Sequence, residues 1–214
     1  MGRDLGELYS VLSDELIRLY WHWHEYVQLF ATKSTRVSLL NESASFFFWV
    51  VQQTFWQETL LGIARLTSVP GSRGKSNLTV QRIAPFIMDV QLRADVESLV
   101  SAAVEAAAFA KGWRDRHIAH RDLDLSLGRM ATPLPKATKE KVDIALESIA
   151  VVLNRLDLHF LDATMAYDFV NPIGGCESLL FVLRDGLRRE ELRGKQLEAG
   201  NYDPEEWDDH LGPV

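Results

Sequence analysis

Cysteine is nearly absent, with Cys176 the only one in 214 residues. That excludes an intrachain disulfide and any cysteine-rich zinc site, and makes a reducing compartment the natural setting. Long apolar runs are missing too. The longest, Phe46 to Val51, falls far short of the roughly 20 residues that span a bilayer. Met1–Leu12 carries charge without an uninterrupted apolar stretch, so no secretory signal is expected, and Gly6 stands where a myristoylation signal wants Ser or Thr. The expectation is a soluble, cytoplasmic protein with no membrane contact. Positive charge is also scarce: Lys and Arg number 23 against 30 Asp and Glu, a formal −7. Neutralising phosphates takes clustered Lys and Arg, so any nucleic-acid contact has to come from a local patch.

What is present is ample core material. Hydrophobic residues make up 47% of the chain, and its length suits one domain better than two, on a prior of roughly 100–200 residues per domain. Leu5, Leu8, Leu12, Leu16, Leu19, Trp23, Val27 and Phe30 recur every three or four positions and line one face of a long helix. Ser34 and Thr35 can cap a second helix. It runs through Phe46-Phe47-Phe48-Trp49-Val50-Val51 to Leu60, Leu61, Ile63 and Leu66. This helix is apolar on more than one side, which implies packing by several neighbours. Residues 69–77 are rich in turn formers, and a short helix is expected over Leu78–Met88. Leu92, Val96, Leu99, Val100, Ala103 and Ala107 mark an alanine-rich helix. Met130–Pro135 breaks the chain again. After Thr138, a stripe from Val142 to Tyr167 predicts another helix ending near Asn171-Pro172, and a last helix starts near Glu177. The sum is an all-α bundle of about five to six helices without a convincing sheet. Residues 1–198 read as the helical domain and the acidic 199–214 as a mobile tail.

Chemistry concentrates between Lys111 and Asp124, where Lys111, Arg114, Arg116, His117, His120 and Arg121 build the one compact positive site of an acidic chain. Arg offers a planar fork for phosphate oxygens, and His can take or give a proton near neutral pH. Together they form a minimal kit for metal-free RNA cleavage, one group assisting loss of the 2′-hydroxyl proton and the other stabilising charge at phosphorus. In an unbroken α-helix, positions six apart differ by about 120° in direction and about 9 Å in height. Arg114 and His120 therefore converge only if the helix breaks, if Arg114 reaches along the axis, or if a partner chain completes the site.

Arg114 and His120 enclose five residues, with the polar Asp115 following the Arg. This arrangement resembles the Arg-X(4–6)-His motif of the HEPN superfamily. The stretch Arg116-His117-Ile118-Ala119-His120-Arg121-Asp122, with Ile63-Ala64-Arg65-Leu66-Thr67, looks most like the branch associated with bacterial abortive infection. The resemblance covers roughly residues 1–190. It implies a HEPN-like bundle that dimerises to form a composite site. In active members it implies a metal-independent endoribonuclease, often a toxin or phage-defence effector, which leaves a cyclic phosphate end. By that carry-over Arg114 and His120 are catalytic, and Asp115 orients Arg114 or caps the helix. Arg116, His117, Arg121, Lys111 and Arg65 assist RNA binding, and no cofactor or metal is called for. An antitoxin or defence-system protein is a further partner under this reading. Asp122 stands two residues past the His, so control by modification of a motif tyrosine is not supported. Arg18 and His24 share the same spacing, but Leu19 after Arg18 belongs to the core stripe, which makes that pair incidental.

Two other readings compete. A HEPN-like module that keeps the fold would only bind nucleotide or a protein partner. A metal-dependent bundle enzyme would use His117 and His120, three apart, with a carboxylate such as Glu58; flanking Arg114, Arg116 and Arg121 would repel the cation. His22 and His24 lie two apart and face different directions on a helix, a poor metal pair. Gly71-Ser72-Arg73-Gly74-Lys75-Ser76 lacks the spacing and preceding strand of a phosphate loop and reads as a turn, with Arg73 and Lys75 available to extend a basic rim.

Overall fold

The computed structural model describes residues 1–72, 74–119, 123–129, 133–170 and 173–201. Among them the chain is an all-α bundle of seven α-helices, five of them long, with one minimal hairpin. The described residues fall into two compact units, one from Met1–Val27 and Val50–Asn171, the other from Gln28–Trp49 and Pro172–Val214.

Helix α1 spans Arg3–Phe30 and α2 spans Ser34–Leu66, so both run through both units. The α1 stripe delivers Leu5, Leu12, Leu16, Leu19 and Trp23 to the core of the first unit, as a 3.6-residue period requires. Within that unit α1 approaches α2 at Gly62, where an added Cβ would run into Leu19 Cδ2. Helix α2 is interrupted at Ala44, whose backbone is extended. Its second half buries Leu60, Ile63, Ala64 and Leu66 as expected. The aromatic run is a correction. Phe48 is buried, but Phe46, Phe47 and Trp49 remain 76%, 60% and 55% exposed. Successive helical residues diverge by about 100°, so one neighbour can cover only part of such a run.

The turn read from the sequence is a hairpin that pairs β1 (Gly71–Ser72) with β2 (Lys75–Ser76), with Gly74 at φ +78°. The helix expected over Leu78–Met88 is instead two 3₁₀ turns, Val80–Arg82 and Ala84–Phe86. Pro85 explains the break, since it removes a backbone donor. Asp89 then caps α3 (Val90–Ala106), its Oδ1 accepting the Leu92 N–H at 2.7 Å.

Helix α3 packs on α6 (Lys139–Leu161) to form the centre of the first unit, with Val96 and Ala103 against a column that includes Leu146, Ile149 and Leu153. Arg155 clamps this pair from the side through Asp95 at 2.8 Å. Two polar ties join α1 to α6: Tyr9 Oη donates to Asp157 Oδ2 at 2.8 Å, and Trp23 Nε1 to Asp143 Oδ1 at 2.6 Å. The α6 stripe was expected to continue to Tyr167, yet the helix stops at Leu161 and Asp162 takes a left-handed conformation at φ 52°. The Asn154 amide holds the returning chain, donating to the Met165 carbonyl and accepting its N–H. Tyr167 still reaches the core, where its hydroxyl meets Ser13 Oγ at 3.0 Å.

The second unit contains α7 (Cys176–Glu198), whose Glu177 accepts from Arg36 at 2.9 Å. Residues 202–214, most of the expected acidic tail, lie outside the described residues. Among the described residues no helix is long and apolar enough to cross a membrane.

Candidate functional site

The Arg–His segment begins where the alanine-rich helix changes its winding. Helix α3 ends at Ala106, α4 (Ala108–Trp113) restarts after the single residue Ala107, and Arg114–Ile118 then form a π-helical turn. The turn is closed by the Ala119 N–H donating to the Arg114 carbonyl at 2.8 Å, a bond across five residues rather than four. Such single turns are rare and concentrate at functional sites. Two hydrophobic anchors fix it: Trp113 and Ile118 pack against the core of the first unit. Trp113 also donates through Nε1 to the Pro135 carbonyl at 2.8 Å, and Pro135 sits so close that a Cβ on Gly112 would lie 2.8 Å from its Cγ. Glycine is thus required for the chain after α5 (Leu123–Ser126) to lie across α4.

With Trp113 and Ile118 turned inward, Arg114, Asp115 and Ala119 line a cleft of about 680 Å³ within the first unit. Lys111 from α4 and Arg65 from the last turn of α2 share it. The Arg114 side chain is only 25% exposed, and both its Nε and Nη2 meet Asp115 Oδ1, at 2.7 and 2.6 Å. One edge of the guanidinium is therefore tied to its neighbour. Arg65 pairs with Glu58 at 2.6 Å and stays half-exposed.

The structure thus brings Arg114, Asp115, Lys111 and Arg65 together, and separates two other expected residues from them. Arg116 reaches the Pro133 carbonyl at 3.4 Å and His117 packs edge-on against Trp113 at 5.4 Å, and neither lines the cleft. His120 and Arg121 lie outside the described residues, as does Arg73. Of the set considered for a metal, His117 is thus turned to Trp113, Glu58 is engaged by Arg65, and His120 falls outside the description. Among the described residues no three His, Cys, Asp or Glu side chains converge.

A HEPN family model described as AbiU2 matches residues 3–173, from α1 through the end of the first unit and including every cleft residue. The chain belongs to the AbiU2 family of HEPN domains. As such it is a HEPN-type module of the kind associated with abortive infection. No curated protein matches the chain, and no solved structure does either. In this AbiU2 chain the wall facing α4 escaped the sequence reading. It consists of Thr67, Ser68, Asn77 and Gln81, drawn from the end of α2 and the loop that returns beneath it. Their only trace in the sequence is polarity next to a helix end, a signal shared by most loops.

Proposed function

We propose that this AbiU2-family chain is a metal-independent endoribonuclease of a toxin or phage-defence system, acting in the cytoplasm as a homodimer. The observation that carries the reading is Arg114, held by Asp115 in a cleft that also gathers Lys111 and Arg65. Three cations in one concavity offer an acidic chain the local anion site that RNA requires. Arg114 would bind a non-bridging phosphate oxygen and stabilise the charge that builds as phosphorus becomes five-coordinate. His120 follows the π turn in sequence and would take the proton from the 2′-hydroxyl. The 2′-oxygen then bonds to phosphorus, the bond from phosphorus to the 5′-oxygen breaks, and that oxygen collects a proton. The products carry a 2′,3′-cyclic phosphate and a 5′-hydroxyl. Asp115 acts by positioning Arg114. Arg116 and His117 would assist from outside the cleft by contacting flanking phosphates, and Arg121 would add to RNA binding.

The test is incubation of RNA with the purified chain in excess chelator. Fragments with cyclic phosphate ends are expected. Intact RNA together with tight binding of nucleotide or of a partner protein would instead favour the non-catalytic module.

A further inference from the structure

The second unit holds a cavity of its own, of about 410 Å³, a size that suits a small ligand. Its lining comes from the start of α2, with Lys33 before it, and from α7, which follows the residues 3–173 matched by the AbiU2 family model. Three cations face it, each held differently. Arg36 is a fixed part of the wall: its Nη1 donates to the Gln28 carbonyl and to Gln28 Oε1, both at 2.7 Å, and its Nη2 donates to Glu177 Oε1 at 2.9 Å. Arg36 and Glu177, the one carboxylate of the lining, therefore offset each other. The Arg184 guanidinium lies 4.9 Å from the centre of the Phe181 ring, one turn earlier on α7. Its contact with Asp185 is long, at 3.5 Å between groups more than half exposed, so solvent screens it. Lys33 meets no carboxylate among the described residues.

Once Arg36 and Glu177 cancel, Lys33 and Arg184 leave the cavity with about two positive charges, beside an apolar side made by Leu39, Leu180 and Phe181. A dianion joined to an apolar or planar group has the matching form. We infer that this cavity binds a phosphate monoester, with Lys33 and Arg184 on the phosphate and Leu39, Leu180 and Phe181 against the esterified group. A monoester carries close to two charges at neutral pH, whereas a backbone diester carries one. A free mononucleotide and the 5′ end of an RNA both offer that chemistry. The inference does not rest on the nuclease reading.

Calorimetric titration with adenosine 5′-monophosphate tests it, using the full chain carrying Lys111→Ala and Arg114→Ala to remove two cations of the first unit's cleft. The nucleotide is expected to bind this chain at least roughly tenfold more tightly than adenosine does. Adding Lys33→Ala or, separately, Arg184→Ala should weaken it roughly tenfold, the scale of one charge-assisted hydrogen bond, with melting curves showing that each variant remains folded. No nucleotide binding, adenosine bound equally well, or an affinity unchanged by both substitutions would overturn the inference. A tetranucleotide with a 5′-phosphate then assigns the source. Binding tighter than the mononucleotide, and lost without the phosphate, points to an RNA end; weaker binding points to the free nucleotide, and the site stands in both cases. Absence of RNA cleavage by the wild-type chain would overturn the nuclease reading and leave this site standing.

Discussion

Tyr9 sits between α1 and α6 with its hydroxyl on Asp157, and that placement sets a pH response. Burial first, then the hydrogen bonds to Asp157 and Tyr167, push the Tyr9 hydroxyl well above its ordinary value near 10.0. Burial raises Tyr20, Tyr26 and Tyr167 as well. In the unfolded chain these phenols lose their protons near pH 10, while in the fold they keep them. The stability they contribute is therefore complete below about pH 10 and is lost as pH climbs through the raised folded values. Denaturant midpoints should fall steadily above pH 10, and Tyr9→Phe should flatten that slope by up to one proton. The same variant should cost about 1–3 kcal/mol at neutral pH, because Asp157 is buried and loses its donor. An unchanged alkaline slope would contradict the assignment. Residues of this kind left uneven traces in the sequence. Asp115 was legible as the polar follower of Arg114, because the pair is adjacent. Asp157, Ser13 and Tyr167 were not, because their association depends on where α6 stops.

Helix periodicity made the long elements legible wherever one face meets one core. Leu12, Leu16 and Leu19 on α1, and Val142, Ile149 and Leu156 on α6, are buried for the same reason that they recur at three and four. Illegible features are those set by single residues or by tertiary contact. Pro85 turned an expected helix into 3₁₀ turns, and the break at Ala107 hides inside an alanine run that favours helix on both sides. The π turn adds one residue to a winding without changing composition. Close helix approach is a related case, which Gly62 tests. A methyl there would meet both Leu19 Cδ atoms and lie 3.1 Å from its Cγ, so the leucine or the helix pair must shift to admit it. Overpacking of this kind costs typically ~1–3 kcal/mol, against ~1 kcal/mol gained by alanine over glycine in a helix. Gly62→Ala should lower stability by about 1 kcal/mol in urea unfolding. Equal or higher stability would show that α1 and α2 can move apart freely.

At the scale of the whole molecule, the second unit leaves Phe46, Phe47 and Trp49 open, with Phe46 and Trp49 stacked at 6.0 Å. Clustered exposed aromatics of this size mark contact surfaces, and a second copy of the chain is the occupant that the proposed dimer calls for. Sedimentation equilibrium should give a dimer for the wild-type chain and a folded monomer for Phe46→Asp. A wild-type monomer at every concentration would remove the dimer from the account. Composition could announce such a face but not its exposure, since the same run reads equally well as core. The cleft was half legible for a similar reason: its cations stood out against a net charge of −7, while its polar wall was assembled by a returning loop. The nuclease activity proposed for this chain requires Arg114 to grip the scissile phosphate in this cleft. Single-turnover RNA cleavage in chelator, comparing wild type with Arg114→Ala at matched thermal stability, addresses it most directly. A fall of roughly 10²–10³-fold in rate is expected, the usual consequence of removing one donor from a developing oxyanion. Cleavage that proceeds at the wild-type rate without the guanidinium would contradict the claim.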